Sequence, residues 1–305
     1  MASDAILRSY GDTSRITDVQ PLVEILTATE NYFLNSLQKS QARDTVHRTM
    51  VDTLAAAASA AVEEAADYTY GTLTTPTFLT NLVENIARPF KVSRTQMLVE
   101  HFHGQNEKAR QTQKELINWA NAAEFDILRS TLTSGASGTT PKMNGIINGI
   151  SKSTNTTAHT SGTVFSASIL KGLLRNEWDN SNGEVVTDLF MGSSLKSTFD
   201  TFTAGSTKFL MASDAAVRDF KDVYDSGGYG RVMVHLHRYV QQSGDATGRI
   251  LGLVPSKLAL AYLEPAHMIQ NLAITGDYEP VAIVGKLTVE VRNQDCALFA
   301  DGFLL

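Results

Sequence analysis

Between Gly104 and Gly135 the chain runs from Gln105 to Ser134 without a glycine or a proline, and most of these residues are good helix formers. Leu116, Ala120, Ala123 and Ile127 recur at spacings of three and four, and Ile117, Phe125, Leu128 and Leu132 widen that stripe. The pattern predicts one amphipathic helix about 40 Å long at a rise of about 1.5 Å per residue, well above the usual length in a globular domain. Such a spine organises whatever packs on it. Taken alone it fits a long helix of an all-α bundle equally well, so the flanking segments have to decide.

Those segments belong to a globular chain. Of 305 residues, 43% are hydrophobic and 19% charged, enough for one large or two medium domains. A formal net charge of −6 and the absence of any Lys/Arg tract argue against a protein that holds nucleic acid by a general basic field. The single cysteine, Cys296, lies in an apolar run and reads as a buried, inert thiol, which fits a reducing compartment. The opening MASDAILRSYGD has neither a basic nor an apolar signal region, and no run approaches the length of a membrane span, so neither standard secretion nor membrane insertion is expected.

The first 40 residues read as an arm ending in a short helix, with Leu22, Ile25, Leu26, Phe33 and Leu37 at roughly helical spacing. Residues 1–20 have no such pattern, and their contacts are expected to lie on a neighbouring subunit. From 41 to 98 the chain reads as an excursion out and back. Residues 45–54 suggest a strand, 55–66 have helical propensity, 68–78 are rich in aromatic, β-branched and turn residues, and a return strand leads into VSRTQMLVEHFHG. So long an insertion makes sense where it packs on another chain. After the spine, residues 135–150 form a turn-rich loop with a short apolar close, and 152–163 a Ser/Thr-rich connector. Residues 166–264 alternate helix-like and strand-like segments, and the last forty supply two or three strands with a turn at Gly276-Asp277.

Little in the sequence points to chemistry. Two His-x-His pairs, His101/His103 and His235/His237, would place both rings on one face of a strand, and MLVEHFHG resembles the opening of metal-dependent amidohydrolase barrels. The remainder lacks eight alternating βα units, and only His47, His159 and His267 remain as further ligands. Ring packing and polar hydrogen bonds explain His235/His237 as well. No nucleophile elbow, phosphate-cradling loop or cysteine cluster is present, GGYGR at 227–231 reads as a turn, and Glu63/Glu64 and Glu115/Glu124 read as solvated carboxylates. No catalytic, cofactor-binding or metal-binding residue is assigned, and an enzyme is not expected.

The order of parts is more specific. A strand ending in Val92, Ser93, Thr95 and Gln96, a long helix with an acidic residue near its end at Glu124, a Pro-x-x-x-Gly loop from Pro141 to Gly145, and the closing LVPSKLALAYLEP and TGDYEPVAIVGKLTVEVRNQDCALFADG together resemble the major capsid proteins of tailed bacteriophages. The resemblance covers about residues 80–305 and is weakest before residue 75.

It implies an α+β, Hong Kong 97-type capsid fold: an N-terminal arm (1–40), an extended β-hairpin loop (41–98), a peripheral domain with the long spine helix (99–150 and 266–305) and an axial domain (151–265). It implies a structural subunit that self-assembles into pentamers and hexamers of an icosahedral phage head. Its other partners would be portal and scaffolding or decoration proteins, with double-stranded DNA enclosed without specific binding and no membrane. Localisation would be the virion, assembled in the host cytoplasm. An encapsulin-like cage and, more remotely, a metal-dependent hydrolase using the His-x-His pairs are the alternatives. No Lys–Asn cross-linking pair is located by the motif match.

Overall fold

The computed structural model describes residues 31–54, 58–65, 67, 70–71, 73–100, 106–150, 156–180, 184–202, 223–225, 228–242, 244–270 and 272–305. In chain order the elements are α1 (Tyr32–Ser36), β1 (Gln38–Gln41), β2 (Val46–Val51), β3 (Thr77–Leu82), β4 (Glu84–Ser93), α2 (Arg94–Leu98), α3 (Glu107–Arg129), α4 (Ile146–Ile150) and β5 (Thr156–Thr163). They continue with α5 (Ala167–Asn180), β6 (Asp188–Met191), α6 (Ser193–Thr201), β7 (Val223–Asp225), β8 (Arg231–Leu236), β9 (Gly248–Leu253), a 3₁₀ turn at Pro255–Lys257, β10 (Leu258–Ile269), β11 (Tyr278–Val291) and β12 (Leu298–Phe303). The chain is α+β, as expected.

The spine is α3, 23 residues long. Asn106 opens it by accepting the Lys108 amide at 3.0 Å, and Glu107 in the first turn and Arg129 in the last suit the helix dipole. It stops at Ser130 rather than Ser134, because the backbone there turns extended and the Ser130 hydroxyl donates to Glu84 at 3.0 Å. Its buried face is Trp119, Ala123, Glu124, Ile127 and Leu128. The expected stripe is therefore rotated: Leu116 is 51% exposed, Ala120 only half-buried, and Leu132 lies beyond the helix and is exposed. Trp119 takes the core position, its indole N–H donating to the Ile86 carbonyl at 2.9 Å. Gly285 admits the ring, since a Cβ there would lie 2.5 Å from Trp119 Cζ2.

Two sheets share this helix. The first has the order β1-β10-β11-β4, with β1 parallel to β10 and the other pairs antiparallel. The second, β5-β12-β9-β6-β8-β7, is mixed. One core joins them: Ile127 and Leu128 of α3 pack in a cluster with Ile283, Leu287 and Val289 of the first sheet and Phe190, Leu251 and Phe299 of the second. The opposite side of the second sheet carries its own core, where Leu170 and Leu174 of α5 and Leu195 and Phe199 of α6 meet Leu189, Ile250, Leu298 and Phe303.

Several local expectations change. The Ser/Thr-rich connector is partly strand β5, since β-branched threonines suit a ladder as well as a loop and Phe299, Ala300 and Asp301 supply the partner. Within 55–66 the described residues, 58–65, are exposed and not helical; alanine propensity without an apolar face to bury does not hold a helix. After the return strand β4, residues 94–98 turn into α2, capped by Ser93, whose Oγ accepts the Gln96 amide at 3.1 Å. The sheets also interleave the expected segments. Strand β4, from the 41–98 excursion, lies in the four-stranded sheet, β10 runs through the 265/266 boundary, and β12 returns to the sheet of residues 156–253.

Candidate functional site

The junction of arm, spine and second sheet is built on one carboxylate. Glu124 is fully buried near the end of α3. Helix α1 has no side-chain cap from its own N-cap residue, Asn31. Instead Glu124 Oε1 accepts the Phe33 amide at 2.8 Å and Oε2 the Leu34 amide at 2.8 Å, so a residue on the spine caps the first turn of the helix that ends the arm. His237, just past β8, adds its Nε2 to Oε1 at 3.1 Å. Phe33 fills the space beside them, tilted against Phe190 and the His237 ring at centroid distances of 4.8 and 5.3 Å. Glu124 was expected on a solvated face; three donors make its burial tolerable instead. Nearby, burial and the charge of Glu124 push the Tyr262 phenol up from its ordinary value.

A second junction lies where α3 ends. Glu84 Oε2 accepts Ser130 Oγ and the Met143 amide, tying β4 to the Pro-x-x-x-Gly loop. Gly145 closes that loop: its amide donates to the Ser130 carbonyl at 2.8 Å, and a Cβ would lie 2.8 Å from the Leu128 carbonyl. Burial, and then the charge of Glu84, push Asp126 up to about 6 against the opposing pull of Lys142 and Arg88. Arg129 holds Asp245 through two hydrogen bonds of 2.9 and 2.7 Å, joining the spine to the loop before β9.

The third junction is the root of the β2–β3 hairpin, whose register runs from Val46↔Leu82 to Val51↔Thr77. Glu290 of β11 meets Ser40 at 2.8 Å, His47 at 3.3 Å and Arg292 at 2.9 Å. Burial alone would raise its carboxyl, but hydrogen bonds from Arg292 and Ser40 hold it below the ordinary carboxylate range. Asn81 donates to the carbonyls of Val289 and Asn144 and accepts the Asn144 amide. Beyond this root most of the described residues of the hairpin are exposed. Leu54, Tyr70 and Leu73 are 99%, 92% and 91% exposed, and Met50 and Phe78 are exposed as well.

His235 and His237 do not share a metal centre. His101 and His103 lie outside the described residues. His235 stacks on Phe190 and contacts Asp188 Oδ1 at 2.7 Å, whereas His237 faces Glu124, so the two rings serve different partners. Among the described residues no group of three His, Cys, Asp or Glu side chains could hold a metal, and no helix is long and apolar enough to cross a membrane. Cys296 is buried, as expected. The arm up to residue 30 lies outside the described residues.

The model of the SU10 major capsid protein family matches residues 7–302. The chain belongs to that family. It is accordingly a structural protein of a viral shell rather than an enzyme. The fold is that of solved shell proteins. The capsid of the native GTA particle superposes with a TM-score of 0.68 at 10% identity, covering 100% of both chains. The capsid of the myovirus XM1 gives 0.65 at 11% identity, over 99% of this chain and 100% of that one. An encapsulin of Synechococcus elongatus gives 0.61 at 12%, over 98% and 96%. No curated protein sequence matches the chain significantly. At such low identity the structural likenesses carry the fold, and the family match carries the role.

Proposed function

We propose that this major capsid protein builds the icosahedral head of a tailed bacteriophage from pentamers and hexamers of itself, around double-stranded DNA. The observation that carries the reading is the hairpin, rooted rigidly at Glu290 and Asn81 yet presenting Leu54, Tyr70 and Leu73 almost wholly to solvent. Burying one such side chain contributes about 1.5–3 kcal/mol, and an isolated subunit leaves that contribution unused. Neighbouring copies supply the cover, and contacts that close into rings give capsomers. Weak interfaces repeated around a shell then reinforce one another.

In this reading residues 1–40 are the arm, the 41–98 segment supplies the extended hairpin, and the sheet of β1, β4, β10 and β11 with the spine forms the peripheral domain. The sheet of β5 to β9 and β12 with α5 and α6 forms the axial domain. Capsomers meet in the host cytoplasm and the finished shell resides in the virion, with portal and scaffolding or decoration proteins as further partners. The net charge of −6 supports a lining that confines DNA without gripping it; isolated capsomers should bind duplex no tighter than about 10⁻⁴ M at physiological salt. No catalytic residue, cofactor or metal is required.

Electron microscopy of the expressed chain, together with nuclease digestion of the particles from infected cells, tests the proposal. Closed shells holding nuclease-resistant double-stranded DNA are expected. Monomers alone would overturn it, and closed cages holding only protein would favour the encapsulin-like alternative that the fold also accommodates.

A further inference from the structure

Beside the outer strand β1 of the four-stranded sheet lies a cavity of about 650 Å³ for which the shell reading has no use. Four elements wall it: α1 with Leu34, β1 with Lys39, α3 with Trp119, and β10 with Tyr262, Leu263 and Ala266. Its volume falls in the range of small-ligand sites, about 300–1,000 Å³.

An irregular strand shapes it. Strand β10 pairs regularly with β11 from Leu258↔Val291 to Tyr262↔Leu287, then shifts register between Tyr262 and Glu264 and again between Glu264 and His267. Leu263, Pro265 and Ala266 leave the ladder there and line the cavity. Bulges of this kind give up regular pairing to re-aim a strand, and Pro265, with no N–H to donate, suits the gap. Opposite, the Trp119 N–H is committed to the Ile86 carbonyl at 2.9 Å, so the indole turns its apolar carbons to the cavity. Leu34 and Leu263, both half-buried, continue that apolar wall.

One charge stands at the mouth. Ser40 points to the other face of the sheet, where its Oγ donates to Glu290 at 2.8 Å. Side chains alternate along a strand, so Lys39 falls on the cavity side of β1. Lys39 is exposed and has no ion pair among the described residues, and none of the described residues lining the cavity is an acid. An apolar wall with one uncompensated cation at its rim complements a ligand with an apolar body and a single anionic end.

We propose that this cavity binds an amphipathic carboxylate of the fatty-acid class, with its chain against Trp119, Leu34 and Leu263 and its head group at Lys39. Because the walls come from α1, β1, α3 and β10, the bound chain braces the helix that ends the arm against the spine. Binding is read on the single subunit, so the proposal stands apart from the shell reading.

Dodecanoate and its neutral counterpart dodecanol, both below micelle-forming concentrations, are the probes, and Trp119 is the reporter. The chain has two tryptophans, of which Trp178 is 53% exposed, so a Trp178→Phe chain leaves Trp119 to report alone. Dodecanoate should change the Trp119 emission saturably, raise the melting temperature and slow amide exchange over residues 32–36. Lys39→Glu, a change at an exposed position, should weaken dodecanoate about fivefold at low salt and less at high salt, with dodecanol altered by less than about twofold. Ala266→Phe should fill the space and abolish binding of both probes. No saturable response up to about 1 mM dodecanoate, equal loss of both probes in Lys39→Glu, or undiminished binding to Ala266→Phe would overturn the site. Should Ala266→Phe lower the urea midpoint, Lys39→Glu and the exchange protection of α1 still decide the matter.

Discussion

Replacing Glu124 by alanine removes the acceptor for three donors at once: the amides of Phe33 and Leu34 and the Nε2 of His237. The Phe33 amide and the His237 ring lie where water cannot substitute, because Glu124 is wholly buried, Phe33 1% exposed and His237 1% exposed, whereas the Leu34 amide is only partly buried. An unsatisfied buried donor costs about 1–3 kcal/mol, and breaking a buried charged network about 3–5 kcal/mol in total, because the separate losses do not add fully. The cavity left by the side chain acts in the same direction. Against a net stability of about 5–15 kcal/mol this is a large fraction. Glu124→Gln keeps one carbonyl oxygen but presents an NH₂ group to one of the α1 amides, and should cost about 1–3 kcal/mol. Urea unfolding of the subunit gives the free energies, and amide hydrogen exchange over residues 31–41 locates the loss. Helix α1 is expected to exchange faster well below the unfolding transition, since it loses the cap that Glu124 supplies. A loss under about 1 kcal/mol with unchanged protection of Phe33 and Leu34 would refute the capping role.

Four further substitutions follow from the same geometry. Ile127→Asp, at a position fully buried against both sheets, should cost several kcal/mol and give little soluble subunit, whereas Leu116→Asp, half-exposed, should change the urea midpoint by less than about 0.5 kcal/mol equivalent. Gly145→Ala forces a Cβ to within 2.8 Å of the backbone at Leu128 and Ser130, and should lower the melting temperature by several degrees, corresponding to about 1–3 kcal/mol; an unchanged melt would show that the loop has room. Asp126 has its pKa raised from 3.8 to about 6, so the native state holds a proton that the unfolded chain has already lost, and stability falls as pH rises from about 4 to 6. After allowance for solvent screening the effect is about 1–2 kcal/mol. Asp126→Asn should abolish that slope and stabilise the subunit at pH 7, and a slope that survives the substitution would assign it elsewhere.

The spine was legible because an unbroken run of good helix formers leaves few alternatives, and its caps at Asn106 and Ser130 shorten it only slightly. Its rotation was not legible. Leu116 advertises burial by composition alone, while Trp119 hides its position because an indole can lie inside or at a surface; only the carbonyl of Ile86 and the absent side chain of Gly285 show which. Strand pairing was the other loss. Parallel pairs such as β1 with β10 and β5 with β12 join distant parts of the chain, and neither periodicity nor turn chemistry records them. For the same reason Glu124 could be picked out by resemblance, but its task could not, since the amide it caps lies 91 residues away in sequence. The hairpin root was partly readable as an excursion that needs a neighbour, whereas the Glu290 and Asn81 anchors were not.

The central claim is that the rigidly rooted, bare hairpin is an assembly device. A side-chain-resolved reconstruction of the particle by electron microscopy tests it most directly. The account predicts that Leu54, Tyr70 and Leu73 of every subunit are buried against a neighbouring copy, with the Glu290 and Asn81 anchors unchanged from the isolated chain. Closed particles in which these side chains stay in solvent, or in which the hairpin folds back on its own subunit, would contradict it.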